Sequence, residues 1–493
     1  MNLASILGHA ARRHPHQPAV SEAGVVTSYA QLAAQAGGVA AMLKARGLRP
    51  GDHVAICQTG GAAWLAVYFG ILAAGGVAVT LFHGATAEEL SHLLADSRPR
   101  FLFCGPDQAA RLAGRSLPFL EAVIGPDELG RDEPLQPADC PAKQTAAVLY
   151  TGGTTGRPKG VLLSHANLNF AARTIAGQER SGPQDRALCF LPLNHVFGQV
   201  HITLSTIYSA GCLVMLPAFD LEAMLRALAQ GGVSKLYAVP TVYVRLLQMP
   251  DLKARLGAVR YCFSAAASMA GEVVRQWQAR TGLAIHEAYG MTETAAMVTY
   301  NHFTRHKVGS VGTPVAQVAV SIQDHEGRPL PAGAPGEVCI LGPGVMAGYL
   351  GRPQETAAAF RDPWLRSGDI GYLDEEGYLF LVDRIKDLII TGGENVYPRE
   401  VEELLHQRPE VAQAAVIGLP DPEYGERVTA FIVPQPGRSV EPIELRQFLK
   451  ARLSGYKVPK EFTVVDELPL SGAGKVLKRE LRRRVLDQAA EKV

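Results

Sequence analysis

The stretch Tyr150–Gly160 reads Tyr-Thr-Gly-Gly-Thr-Thr-Gly-Arg-Pro-Lys-Gly. Its four glycines, Gly152, Gly153, Gly156 and Gly160, let the backbone approach a ligand and present its N–H groups. Thr151, Thr154 and Thr155 add hydroxyl donors, and Arg157 and Lys159 add positive charge. Many short donors, little bulk and some cation are what a polyphosphate requires. A flexible surface loop is the plain alternative. The pattern is not a P-loop, because no Gly-Lys-Ser/Thr follows a first glycine at the required spacing.

Other stretches share the preference. Tyr289-Gly290-Met291-Thr292-Glu293 sets an aromatic ring, a hydroxyl and a carboxylate behind an apolar run, and a carboxylate beside phosphates suits Mg²⁺. An ordinary strand end is the alternative there. Asp369, in the turn Ser367-Gly368-Asp369, has the chemistry to accept ribose hydroxyls, or is simply a turn aspartate. Asp383-Arg384-Ile385-Lys386-Asp387 is dense in charge, as a linker also would be. Thr391-Gly392-Gly393-Glu394-Asn395 is a second glycine loop, and Ser471-Gly472-Ala473-Gly474-Lys475 puts a lysine on a loop near the C-terminus. The basic run Lys478-Arg479 to Arg484 reads as a solvated helix face, with a phosphate contact the lesser reading. His195 and His201 are too far apart to share a helix face, and no His/Cys metal spacing occurs. Neither Gly-x-Ser-x-Gly nor a dinucleotide Gly-x-Gly-x-x-Gly after a strand is present, which disfavours serine hydrolases and dehydrogenases.

These groups need a scaffold. A chain of 493 residues exceeds one core, and 47% hydrophobic residues with moderate charge make it globular. A net charge of +1 gives no support for nucleic acid or an anionic membrane as partner. Seven cysteines are scattered singly, which reads as reduced thiols and a cytoplasmic setting. No signal peptide is expected from the first residues. Residues 63–82 carry no charge and are long enough for a membrane span, but Gly75-Gly76 and the β-prone Val77–Leu81 favour a buried helix, a turn and a buried strand. Apolar runs at 53–57, 77–81, 101–104, 212–216 and 235–239 alternate with helical stretches, including an apolar helix from His201 to Ser209. That spacing predicts βαβ units and parallel sheets, built as two similar subdomains. From Gly309 to Tyr372 short strands between Gly/Pro turns predict a smaller β subdomain, and after Asp383 a compact α+β unit follows.

In this order, the stretches Tyr150–Gly160, Tyr289–Glu293, Ser367–Asp369, Asp383–Tyr397 and Gly474-Lys475 resemble the adenylate-forming superfamily of acyl-CoA synthetases, luciferases and peptide-synthetase adenylation domains. The resemblance covers nearly the whole chain, and Asp383–Pro398 looks most like the CoA ligases. It implies an α/β fold with a large N-terminal AMP-binding domain, 1–384, and a mobile α+β C-terminal domain, 385–493, hinged at Lys386. It implies ATP, Mg²⁺ and coenzyme A, and a carboxylic acid activated as acyl-adenylate before transfer to the thiol. By position, Lys475 would be the catalytic lysine, with Thr292 near the α-phosphate and Glu293 on Mg²⁺. Thr151, Gly152, Gly153, Thr154, Thr155, Gly156 and Lys159 would hold the departing phosphates. Ala265, Ala266, Ala267, Tyr289 and Gly290 would line the adenine, and Asp369 and Arg384 the ribose. Gly392, Gly393 and Glu394 would line the thiol's approach. His195, Val196, Phe197, Val239 and Ala288 would border the acyl group, with Tyr243 and Met297 as further lining.

Three departures from the family pattern stand out. Gly152 replaces a common serine. Ser264–Ser268 lacks the usual glycine and proline, which leaves base recognition open. Asn194 replaces a common aromatic residue, which would open the acyl pocket. The apolar run Val196–Tyr208 favours a fatty acid, with an aryl or small acid as runner-up and loading of a carrier protein as a second class.

Overall fold

The computed structural model describes residues 1–151, 158–267, 269–470 and 476–490. Among them the strands form four sheets. The first runs in the order Gly348–Tyr349, Lys159–Ser164, Thr145–Thr151, Val77–Thr80, His53–Cys57, Phe101–Cys104, Ala122–Ile124. The second contains Ile285–Tyr289, Tyr261–Ser264, Lys235–Ala238, Arg186–Cys189 and Cys212–Met215 as adjacent parallel strands. Their central strands read as unbroken apolar runs because helices cover both faces. One hydrophobic core joins the two sheets, from Leu3 through Ile56 to Phe197 and Phe263. The paired α/β subdomains therefore share a single interior.

The helix Ala62–Ala73 is buried from Trp64 onward. It lies against Tyr29–Ala45, and a Cβ at Gly70 would come within 2.6 Å of Val39 Cβ. Small residues at that crossing permit the approach. The apolar stretch is thus a core helix and strand, as the glycine pair predicts, and no described helix is long and apolar enough to cross a membrane.

One feature was not anticipated by the sequence, and another differs from its expectation. The N-terminal hairpin Pro18–Glu22/Val25–Ser28 joins the second sheet, pairing in parallel with Cys212–Met215. The expected helix from His201 instead begins at Phe197 and is wound as a π-helix, Phe197–Leu204, before one α-turn at Ser205–Tyr208. Ser205 and Thr206 turn their hydroxyls back onto the carbonyls of His201 and Ile202. Such windings are rare and recur at functional sites.

A third, mainly antiparallel sheet holds Ala319–Gln323, Gly336–Leu341, Trp364–Leu373 and Leu379–Arg384. The fourth, from Ile389 to Val464, has its own core around Val401, Val416, Ile432 and Leu445. The third sheet's last strand and the helix Pro398–Leu405 are tied together. Asp383 Oδ2 accepts the Arg399 N–H at 2.9 Å, and Arg399 Nη1 donates to the Leu381 carbonyl at 2.6 Å. Lys478 joins this joint. Its Nζ lies 2.8 Å from Glu402 Oε1 with Asp383 nearby, so it is an inward-facing clamp and not part of a solvated face. Arg483 and Arg484 do fit the solvated reading, pairing with Glu480 along the helix.

Candidate active site

The parallel strands of the second sheet end together, and ligands in such sheets sit beyond the carboxyl ends of the strands. Tyr261–Ser264 and Ile285–Tyr289 deliver Ala265–Ala267 and Tyr289–Glu293 to this edge. Ala266 has φ +71°, a left-handed turn that carries the chain away from the strand end. Gly290 is sterically obligatory, since a Cβ there would lie 1.8 Å from the Ala296 carbonyl oxygen. The backbone can then fold into the short 3₁₀ turn Thr292–Thr294.

Two of the sequence-predicted groups meet at the third sheet. Asp369 and Arg384 are register partners, and Arg384 Nε lies 3.2 Å from Asp369 Oδ1. The Tyr289 hydroxyl donates to Asp369 Oδ2 at 2.6 Å. Burial, then the neighbouring Asp369 carboxylate, push the Tyr289 phenol well above its usual range, so it remains a donor.

A second cluster forms around Glu293, which is 6% exposed. Its Oε1 accepts the Tyr349 hydroxyl at 2.9 Å, and burial raises its carboxyl pKa. Lys159 stands over the Tyr349 ring at 5.1 Å, with its Nζ 2.5 Å from Glu355 Oε2. Thr151 is Lys159's register partner, so both flank the glycine loop. Lys159 is therefore held by a carboxylate beside the loop. Gly152, Gly153, Thr154, Thr155, Gly156 and Lys475 lie outside the described residues.

The residues expected on the acyl side form a third group. His195 Nδ1 accepts the Phe197 N–H at 3.2 Å, which fixes its tautomer with the proton on Nε2. Val196, Phe197 and Val239 are buried, with Ala288 partly buried on the strand Ile285–Tyr289. Below them Phe197, Phe263 and His201 pack ring to ring. Phe197 and Phe263 centroids are 5.7 Å apart, and those of His201 and Phe263 are 4.2 Å apart. Tyr243 is fully buried. Its hydroxyl donates to the carbonyls of Leu236 and Phe263, and its ring packs edge-on to Trp277. Met297 lies in the same core cluster as Val196, Phe197 and Val239.

Gly392 and Gly393, at φ +59° and +84°, form the exposed turn between Ile389–Thr391 and Glu394–Val396. Lys386 lies between that sheet and Arg384. Burial first, then Arg384, lower its pKa.

Sequence reasoning missed Tyr349 and Glu355, which carry no motif. It also missed Glu287, which strand alternation could have found, since it shares a face with Tyr289. Glu287 Oε2 is buried without a partner, and burial pushes its carboxyl up to about 8 against the lowering effect of Arg399.

Hydrogen bonds thus join Tyr289 of the second sheet to Asp369 of the third, and Tyr349 of the first to the buried Glu293 carboxylate. The family model described as "AMP-binding enzyme" matches residues 7–350, and that of its C-terminal domain matches residues 400–475. The chain belongs to the AMP-binding enzyme family. Among its relatives, a feruloyl-CoA synthase from an Amycolatopsis species is 38% identical over 96% of this chain and 97% of that protein. A long-chain-fatty-acid–CoA ligase from Bacillus subtilis is 33% identical over 99% of this chain and 95% of its own length. The crystal structure of ATP-bound MatB from Rhodopseudomonas palustris superposes with a TM-score of 0.92 at 37% identity, covering 98% of this chain and 99% of that one. Within the AMP-binding family this chain is an ATP-dependent, AMP-forming CoA ligase, an acid–thiol ligase.

Proposed function

We propose that this ligase activates an aryl or short carboxylic acid, first as the acyl-adenylate and then as its CoA thioester. The observation that carries the choice of acid is the aromatic wall. Ala288 is small and only partly buried, and Phe197, His201 and Phe263 pack ring to ring and would close the acyl side. A flat ring suits such a mouth. A long alkyl chain would have to displace packed rings, and forcing extra methylenes into a filled core costs typically ~1–3 kcal/mol. The apolar run Val196–Tyr208, which as sequence suggests a fatty acid, spends Val200, Ile202, Leu204 and Ile207 on the core. The feruloyl-CoA synthase relative is the more similar of the two above and supports the same reading.

In the first step the substrate carboxylate oxygen attacks the α-phosphorus of ATP, and the bond to pyrophosphate breaks. Lys475 would bridge the two anions as charge develops, with Thr292 beside the α-phosphate. Thr151, Gly152, Gly153, Thr154, Thr155, Gly156 and Lys159 would receive the pyrophosphate. Tyr289, Asp369 and Arg384 would hold ribose and base beside Ala265–Ala267 and Gly290. Glu293 fits a divalent cation, because a buried carboxylate with raised pKa gains from a positive neighbour. One carboxylate plus phosphate oxygens is the usual Mg²⁺ arrangement, and the ion would neutralise polyphosphate charge.

In the second step the CoA sulfur attacks the acyl carbonyl and AMP leaves. One site cannot hold both Lys475 and an incoming thiol, so the C-terminal domain, residues 385–493, would pivot at Lys386 and bring Gly392–Glu394 to the thiol's path. All seven cysteines are free and buried, which supports a reducing, cytoplasmic setting.

The test is a panel of aryl, short-chain and long-chain acids with ATP and either CoA or a holo carrier protein, reading AMP and thioester. Aryl or short acids with CoA are expected to react. Turnover confined to long-chain acids, or to the carrier protein, would overturn the reading. Lys475→Ala is expected to lower acid-dependent pyrophosphate exchange on the order of 10²-fold or more.

A further inference from the structure

The lysine beside the glycine loop is engaged by a carboxylate that no step of the adenylation uses. Lys159 Nζ lies 2.5 Å from Glu355 Oε2, with 16% of the lysine side chain and 35% of the glutamate side chain exposed. The contact is charge to charge. It lacks hydrogen-bond geometry, and Oε2 is buried without a hydrogen-bond donor among the described residues. Lys159 nevertheless holds the Glu355 carboxyl below its usual value, so the group is ionised. The ammonium also stands over the Tyr349 ring, whose hydroxyl donates to Glu293.

The lysine's charge is therefore already matched before any phosphate arrives. Glu355 has a second partner at hand. Arg352 Nη1 lies 3.5 Å from its Oε1, and Arg352 Nη2 lies 3.4 Å from Asp96. Asp96 is fixed in turn by the Tyr150 hydroxyl at 2.7 Å. Glu355 also sits in the first turn of the helix Pro353–Ala359, where the helix end favours a negative charge. Losing the lysine would thus leave Glu355 compensated. Lys159 can change partners without moving its backbone, which is paired with Thr151, because its charge rides on a flexible four-carbon stem.

We infer that Glu355 is a positioning residue that competes with pyrophosphate for Lys159 and so speeds departure of that product. This rests on the reading above that Lys159 receives the pyrophosphate, and adds how the product is let go. With phosphate present, Lys159 turns to it and Glu355 keeps Arg352. As the product loosens, the carboxylate takes the ammonium back. A loop lysine without this rival would grip the phosphates of substrate and product alike, and such uniform binding does not raise turnover.

The test is titration calorimetry of inorganic pyrophosphate, with Mg²⁺ in excess, into the wild type, Glu355→Gln, Lys159→Met and the double variant. Glu355→Gln is expected to bind pyrophosphate about fivefold or more tighter. Its inhibition constant for pyrophosphate in adenylate formation should fall in step. Glu355→Ala is expected to shift binding in the same direction, and Glu355→Asp, which keeps the charge, to stay within about twofold of wild type. Loss of a merely structural tie would weaken binding or leave it alone, so the direction separates the two roles. Lys159→Met is expected to weaken binding, and adding Glu355→Gln to it to change nothing further. Unchanged or weaker binding in Glu355→Gln and Glu355→Ala overturns the inference, and so does an equal gain in the Lys159→Met background. If Lys159→Met binds pyrophosphate as the wild type does, the placement of Lys159 at the phosphates falls, and the inference with it.

Discussion

The Tyr289 hydroxyl and the Asp369 carboxylate, eighty residues apart in sequence, lie 2.6 Å from each other, and Arg384 holds the second carboxylate oxygen at 3.2 Å. The carboxylate is thus oriented before a nucleotide arrives. Asp369→Asn removes the ion pair and half of the acceptor capacity. A hydrogen bond to a charged group contributes about 1.5–3 kcal/mol, so the KM for ATP is expected to rise roughly 10- to 100-fold. Steady-state kinetics with saturating acid checks this, and an unchanged KM would remove Asp369 from the ribose contact.

Lys386→Pro fixes φ at the proposed pivot. Adenylation, read as pyrophosphate exchange, is expected to persist within a few-fold while thioester formation falls by about tenfold or more. Equal loss of both half-reactions would place the pivot elsewhere.

Glu287 makes stability depend on pH. Its folded pKa of about 8 lies above the ordinary carboxyl value, so between pH ~4.5 and ~8 the folded state binds more protons than the unfolded one. Stability from this group is therefore fully present at low pH and lost as pH rises to about 8. Arg399 and Glu403 are the charged groups acting on it from the facing helix. Glu287→Gln, which mimics the protonated acid, is expected to flatten this slope and gain on the order of 1 kcal/mol or more over wild type at pH 9. Urea unfolding at pH 6 and pH 9 measures it, and parallel slopes in the two proteins would refute the assignment.

Phe197, on the π-helix, packs against Phe263 and is proposed to close the acyl site. Phe197→Ala is expected to cost about 3–5 kcal/mol of stability and to open room below the mouth. Medium-chain acids such as octanoate should then gain in kcat/KM relative to aryl acids. A loss of stability with no change in acid preference would show that the ring only packs.

The sequence carried the fold, and it singled out the stretches expected to hold the nucleotide, because those parts are local. Tyr289–Glu293 and Ser367–Asp369 each place their groups within a few residues, and the strand–helix alternation names the parallel sheets directly. What it hid depends on distant pairs. The Tyr349 hydroxyl reaches Glu293 with no shared pattern between the two stretches. Val20 pairs with Leu213 only because the first hairpin crosses to the second sheet. Lys478 sits in a basic run whose average character is solvated, yet its own position on the helix turns it toward Glu402. The π-winding at Phe197–Leu204 was illegible for another reason. Over so short a stretch, an apolar pattern does not distinguish it from an α-helix.

That winding also sets how this segment tolerates changes of length. A π-turn holds one residue more than an α-turn. Deleting a single residue between Phe197 and His201 would let the segment relax to α-geometry with its flanks close to their present register, because the wide turn is what absorbs the extra residue. The phenylalanine and the histidine would then stand three residues apart, still on one face. The same deletion in the α-turn Ser205–Tyr208 has no such slack and would rotate whatever follows by about 100°. The π-segment is therefore the part of this helix where the chain can lose a residue at least cost to its neighbours.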